Sequence, residues 1–448
     1  MTRKILQVAW PLIIANSFWN LQMTIDRIFL GQLSTESLGA AMTVMGVFWV
    51  PMALLQQTAA YVSTFVAQYF GAKEEDKIGA AVWQSLYVSV IGGILFLGLN
   101  GLAPAFFKMV GHSESIQKLE LEYFVSISYS ALPTALVAAV SGFFSGLGNT
   151  RIVLWINFAG MILNAILDYA MIFGRWGFPA LGIAGAGYAT ALATYGAAFL
   201  AFAFLFTRAH EEKFRMISAR ALSSDLLKKF LKFGLPSGFQ WALEGLAFTV
   251  FLIIMGKMAG GEAALAASSI AVTVMMISVL PSMGVAQAIL ILVGQYLGEK
   301  KPDQAEKVTW GGVRIAAMYM AVVAASFFFF PSFYLAWFKN PDSAALWNQV
   351  VEIAPGILKW VAFFTVLDSI YLCLSFALKG AGDTRAVSIL ALTVPWPIMV
   401  LPTFLVRDMP NAVFISWGFV AIYSMTITSL ILFRFRGGKW KSMSVIGV

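Results

Sequence analysis

The sequence predicts an all-α, polytopic membrane protein with twelve transmembrane helices in two six-helix bundles related by an axis along the membrane normal. Three observations carry that expectation. Of the 448 residues, 60% are hydrophobic and only 12% charged, with a mean hydropathy of +0.80; soluble globular chains are about a quarter charged. The apolar residues fall into long runs split by short polar or Gly/Pro-rich connections. Related words then recur in order in the two halves of the chain.

Taken in order, the first six runs are Ile5 to Leu30, Ala40 to Phe70, Gly79 to Leu102, Leu121 to Gly146, Ile152 to Phe173 and Ile183 to Phe206. The second six are Phe230 to Gly256, Ala264 to Leu297, Val308 to Phe330, Ile353 to Leu378, Ala386 to Val406 and Val413 to Phe433. Each reaches the roughly 20 residues that a membrane-crossing helix needs. The basic start Arg3-Lys4 precedes an apolar run too long for a signal peptide, so it reads as the first span. With the N-terminus inside, 22 of the 30 Lys and Arg residues fall on that side. The positive-inside rule then places both termini in the cytoplasm of a multi-pass plasma (inner) membrane protein.

The charged segment 207–229 divides a bundle over 1–206 from a bundle over 230–448. Pro11 and Gly31 match Pro236 and Gly256 at an offset of 225, and Gln68-Tyr69-Phe70-Gly71 matches Gln295-Tyr296-Leu297-Gly298 at 227. Gly146-Leu147-Gly148-Asn149-Thr150-Arg151 matches Gly380-Ala381-Gly382-Asp383-Thr384-Arg385 at 234. Six spans per half make the repeats parallel, an arrangement that suits alternating access and so favours a transporter.

A charge at the bilayer centre costs about 2.5 to 3.5 kcal/mol on insertion scales, so acids within spans are functional candidates. At about 1.5 Å per residue from Lys4 and Arg151, Asp26 and Asp168 sit at similar depth, roughly 25 to 33 Å up. Asn157, Asn164 and Asp168 share one helix face within about 40°, and Thr190 lies at comparable depth on the next span. These oxygen-rich side chains suit Na⁺ at Asp26 and Asp168, or a proton shared by carboxylates. The plainer alternatives are an interfacial residue beside Arg27 for Asp26 and an interhelical hydrogen-bond network for Asp168. Glu244 and Asp368 form a second acidic pair nearer the midplane, as a substrate site, an ion site or a polar packing contact. Their repeat partners, Trp19 and Thr134, are not acids. Pro11 inside the first run marks a helix bend, and Gly182, Gly185 and Gly187 mark close helix contacts.

Several classes are disfavoured. The cations are dispersed, unlike a nucleic-acid interface, and neither a P-loop nor a His-Glu-x-x-His motif is present, so neither an enzyme nor a cofactor is expected. The lone Cys373 can form no internal disulfide. An ion gradient of H⁺ or Na⁺ is the expected energy source, for a monomer acting on small organic cations within membrane lipid.

The words Trp10-Pro11, Asp26-Arg27-Ile28-Phe29-Leu30-Gly31, Gln68-Tyr69-Phe70-Gly71-Ala72 and the paired Gly-x-Gly-[Asn/Asp]-Thr-Arg turns resemble the multidrug and toxic compound extrusion (MATE) family, over essentially the whole chain. The resemblance implies a twelve-helix, two-lobed exporter that exchanges cationic or amphipathic compounds for H⁺ or Na⁺. It implies an N-lobe cation site at Asp26, Asn164 and Asp168, joined by Asn157 and Thr190. Another branch of the family places acids in the seventh and tenth helices, which Glu244 and Asp368 resemble. The same superfamily contains lipid-linked oligosaccharide flippases, the alternative reading; a flippase for a pyrophosphate would want a cationic cleft, and the intramembrane candidates here are acidic.

Overall fold

In a computed structural model, the structure describes residues 1–258, 261–338 and 344–447, with the backbone alone at 344 and 345. Twelve long helical segments account for most of the chain, and no strand occurs among the described residues. They are α1 (Thr2–Leu33), α2 (Thr35–Gly71), α3 (Glu75–Gly101), α4 (Glu114–Gly146), α5 (Thr150–Phe173) and α6 (Gly182–Leu205), then α7 (Ser224–Gly256), α8 (Gly261–Gly298), α9 (Pro302–Phe329), α10 (Ala344–Ala381), α11 (Thr384–Val406) and α12 (Ala412–Arg436). Eleven of them, α2 to α12, are long and apolar enough to cross a membrane. α1 has the length, 32 residues, but Gln7, Asn16, Asn20 and Gln22 dilute its apolar run. Helices are the expected solution in lipid, where each backbone N–H and C=O must be satisfied within its own segment.

The helices run past several of the apolar runs because polar first turns still propagate a helix once it is capped. α2 starts at Thr35, not Ala40, since the Ser34 hydroxyl accepts from the Ser37 N–H at 2.9 Å. α4 starts at Glu114 and α10 at Ala344, each a turn or more before its apolar run. Pro11 and Pro236 lie inside continuous helices, so any bend they impose stays within an unbroken rod. α11 is less regular. With Pro395, Pro397 and Pro402 removing N–H donors, it passes through a π-helical turn at Trp396–Val400.

The chain forms two compact units whose limits fall inside α1, α7 and α8. The N-terminal unit comprises Ile14–Ala242, Gly294–Lys301 and Ser444–Val448; the C-terminal unit comprises Met1–Ile13, Leu243–Val293 and Pro302–Met443. In the first, α5 packs along α6, and α4 against α2, α3 and α6. Its core is aromatic: the Phe48 ring meets Phe96 at 5.1 Å and Phe124 at 6.5 Å, and Phe107 meets Phe124 at 5.8 Å. In the second, α10 packs along α9 and α12, around Phe251, Phe327, Phe364 and Trp417. Cys373 is buried there as a packing residue.

The repeated words have a structural meaning. Within the N-terminal unit the ends of α2 and α8 meet back to back. A Cβ at Gly71 would lie 2.0 Å from the Gln295 carbonyl oxygen, and a Cβ at Gly298 would lie 2.1 Å from that of Gln68. Each copy of the word therefore supplies the glycine that admits the other's backbone. The second pair of words makes two equivalent turns, with Gly148 at φ +83° and Gly382 at φ +101°, where a Cβ is strained. Asn149 and Asp383 follow with nearly the same backbone and open α5 and α11.

Gly71→Ala is expected to destabilise the protein by about 1 to 3 kcal/mol, the usual range for overpacking a tight contact. Gly39→Ala, where a Cβ meets nothing within 4 Å, is the control. Thermal unfolding in detergent checks this: a lower midpoint for Gly71→Ala alone is the expected result, and equal midpoints would refute the close contact.

Candidate functional site

Two glycines on α6 bring three helices of the N-terminal unit to backbone contact. A Cβ at Gly185 would stand 2.5 Å from the Met171 carbonyl oxygen of α5, and one at Gly187 would stand 2.0 Å from the Ser126 hydroxyl of α4. Thr190, one turn beyond Gly187, is thereby set against Asn164 of α5, which is fully buried. Both ends of the Asn164 amide are satisfied when its nitrogen faces the carboxylates. It then donates to Asp26 Oδ1 at 2.9 Å and to Asp168 Oδ2 at 3.2 Å, while its oxygen accepts from Thr190 Oγ1 at 3.2 Å. The Thr190 hydroxyl also lies 3.0 Å from the Ala186 carbonyl.

The carboxyls of Asp26 and Asp168 thus converge on one amide nitrogen and face each other at close range. Asp26 is 6% exposed and Asp168 not at all. A hydrogen bond between two carboxyl groups requires a proton on one of them, because two carboxylates are acceptors only. Asp168 Oδ1 has no hydrogen-bond partner, so the cluster keeps one acceptor in reserve. Its donors are all oxygens apart from the Asn164 amide nitrogen, a set that can hold a proton or a hard cation. Tyr123 of α4, buried at 3% exposure, lies within electrostatic reach of both acids.

The structure therefore joins Asp26, Asn164, Asp168 and Thr190 and leaves Asn157 apart. The Asn157 amide is satisfied by its own helix, donating to the Val153 carbonyl at 2.8 Å, and it lies two turns from Asn164. Pro11 is buried in the C-terminal unit's share of α1.

In the C-terminal unit Glu244 and Asp368 are each half-buried and lie within electrostatic reach of one another. They do not share a bond; each has its own hydroxyl. Tyr371, one turn beyond Asp368 on α10, donates to Glu244 Oε1, and Ser424 of α12 donates to Asp368 Oδ1. The Thr428 hydroxyl on α12 bonds the Leu367 carbonyl at 3.2 Å, which fixes the register between the two helices. Both acids keep acceptor capacity while ionised.

Sequence reasoning missed Tyr371, Ser424 and Lys379. Tyr371 stands at i+3 from Asp368, a same-face spacing that could have been read; nothing in the sequence pairs α12 with α10. Lys379, counted as a cytoplasmic-loop cation, is 2% exposed within α10, with its ammonium 4.9 Å from the centre of the Phe376 ring and within electrostatic reach of Glu244.

Comparison with known proteins agrees with this architecture. The chain is 25% identical over 450 residues to the "Probable multidrug resistance protein NorM" of Thermotoga maritima, covering 99% of this chain and 94% of that one. It is 27% identical over 401 residues to the protein of the same description from Acinetobacter baylyi, covering 88% and 87%. A solved structure described as an outward-facing conformation of a multidrug resistance MATE family transporter of the MOP superfamily matches with a TM-score of 0.88 and 22% identity, over 99% of this chain and 97% of that one. A family model described as MatE matches residues 11–170 and 236–404, so the chain is a multi-pass membrane protein that belongs to the MATE family of transporters.

Proposed function

We propose that this chain is a multidrug exporter that carries cationic or amphipathic organic compounds out of the cell in exchange for protons, by alternating access. The relatives named as NorM multidrug resistance proteins support export of drugs. One observation carries the coupling: the buried carboxyls of Asp26 and Asp168 converge on the same Asn164 amide nitrogen, close enough to need positive charge between them. A proton on one carboxyl would let the two groups share a hydrogen bond. A sodium ion seated between the two groups would replace it with separate contacts from each oxygen.

The cycle follows from charge. With one proton on the pair, the N-terminal site carries a single negative charge inside an apolar bundle; a second proton neutralises it. Adding that proton removes an acceptor from the Asn164 amide and loosens its hold on Asp26 or Asp168. This switch ties proton occupancy to the packing of α1, α5 and α6. In the C-terminal unit, Glu244 and Asp368 attract the exported cation, and neighbouring aromatic faces hold its apolar body. The excess of Lys and Arg beside both termini puts them in the cytoplasm of the inner membrane, and the protein works as a monomer with no cofactor.

The test is uptake of a fluorescent organic cation into inverted vesicles under a pH gradient and, separately, a Na⁺ gradient. Wild type is expected to respond to the pH gradient. Asp26→Asn and Asp168→Asn are each expected to lose about 10- to 100-fold in rate, the size of one charge-assisted hydrogen bond. Response to Na⁺ alone would overturn the proton assignment, and full transport by Asp168→Asn would overturn the site.

Glu244→Gln and Asp368→Asn are expected to weaken binding of a singly charged organic cation by about tenfold, as loss of one partly screened charge predicts, while a neutral substrate of similar size keeps its affinity. Fluorescence titration in detergent measures both. Equal losses for charged and neutral compounds would assign the two acids to packing.

A further inference from the structure

The α3–α4 connection of the N-terminal unit, at the end opposite the α6–α7 connection, holds a buried carboxylate that the coupling site does not use. After the short helix Ala103–Val110, Gly111 turns the chain at φ +82°, and His112 follows. His112 Nδ1 lies 2.6 Å from Glu120 Oε1 of α4. The imidazole is 40% exposed and the Glu120 side chain not at all. The loop is pinned around this contact, since the Gln117 amide donates to the His112 carbonyl and the Gln117 N–H to that of Ser113 at 2.9 Å.

Glu120 Oε2 is buried with no hydrogen-bond partner. A carboxylate kept only to hold the loop would leave that oxygen uncompensated, a costly arrangement in a protein interior. Tyr123 is three residues further along α4, on the same face as Glu120, and lies within electrostatic reach of Asp26 and Asp168. The three acids also share a level: Glu120 is six residues from the start of α4, Asp168 five from the end of α5, and Asp26 seven from the end of α1. The other charged groups at this end of the elements packed here are Lys108 on the short helix, Glu114, Lys118 and Glu122 on α4, Glu36 in the first turn of α2, and Arg27 beside Asp26. Lys118 and Glu122 pair with each other at 4.0 Å on the exposed face. Among the described residues the one ion-pair partner of Glu120 is His112.

Building on the proposed proton exchange, we propose that His112 and Glu120 form the port through which the N-terminal unit takes protons from the outer solution. The imidazole binds a proton from water and passes it from Nδ1 to Glu120 Oε1. The Glu120 carboxyl releases a proton from its unpartnered Oε2 side, inward, to the Asp26–Asp168 pair. One proton leaves the solution and one arrives at the pair, and His112 and Glu120 return to their starting states. His112 and Glu120 are positioning and relay groups; the coupling carboxyls remain Asp26 and Asp168.

The test uses the full chain in proteoliposomes, with rates normalised to folded protein and two modes measured. One is transport of a fluorescent organic cation driven by a pH gradient; the other is exchange of labelled for unlabelled cation with no gradient, which consumes no proton. Glu120→Gln is expected to slow the driven mode roughly tenfold or more, the scale of a lost proton-transfer group, and to leave exchange unchanged. Glu120→Asp restores part of the driven rate, and His112→Gln flattens its dependence on the pH bathing the α3–α4 face. A wild-type driven rate in Glu120→Gln overturns the port, as does an equal fall in both modes, which marks a structural role. Asp168→Asn, run beside them, separates the two readings. If it abolishes driven transport and Glu120→Gln does not, the port alone fails; if it too is driven normally, the proton site fails and the port with it.

Discussion

Two buried carboxyl groups that converge on one amide inside an apolar helix bundle set the terms for the rest of the N-terminal unit. Two negative charges at that separation, screened only by low-dielectric surroundings, would repel strongly, so Asp26 and Asp168 can stay together only with positive charge between them. Holding them requires α1, α5 and α6 to approach closely. Gly185 and Gly187 bring α6 against α5 and α4, placing Thr190 against Asn164, whose amide faces both acids. A bulkier residue at either glycine would separate the helices and dissolve the network. The site is thus built by backbone packing first and by polar side chains second.

The same economy of small residues explains why the two halves repeat a scaffold and not a charge. Gly71 and Gly298 each admit the backbone of the other's word, and Gly148 and Gly382 each make a left-handed turn before a helix. These positions are constrained by sterics that apply equally to both copies. Acids are under no such constraint, since a charge in a span is costly wherever it has no use. Asp26, Asp168, Glu244 and Asp368 accordingly stand opposite Phe251, Pro402, Trp19 and Thr134.

Much of this was legible in the sequence because helical geometry converts residue number into depth. Counting from Lys4 and Arg151 brought Asp26 and Asp168 to one level, and the face shared by Asn164 and Asp168 pointed to their common network. The same face argument admitted Asn157, which the structure leaves out because its amide found the Val153 carbonyl of its own helix; periodicity says where a side chain points and not which partner it takes. The hydroxyls of Tyr371 and Ser424 were beyond reach for a tertiary reason, as the pairing of α10 with α7 and α12 has no local signature. Lys379 was misplaced because an apolar run ends at Leu378 while the helix runs on to Ala381, carrying a cation into the interior where a loop residue was expected.

The contrast between the two acidic sets argues for a division of labour. Asp26 and Asp168 take each other as partners, an arrangement that works only when a proton or another cation joins them. Glu244 and Asp368 take neutral hydroxyl donors, which stabilise a carboxylate without neutralising it. The first arrangement is therefore sensitive to the positive charge between its carboxyls, while the second can keep its negative charge. Buried Lys379, within electrostatic reach of Glu244, offsets part of that charge from inside the bundle.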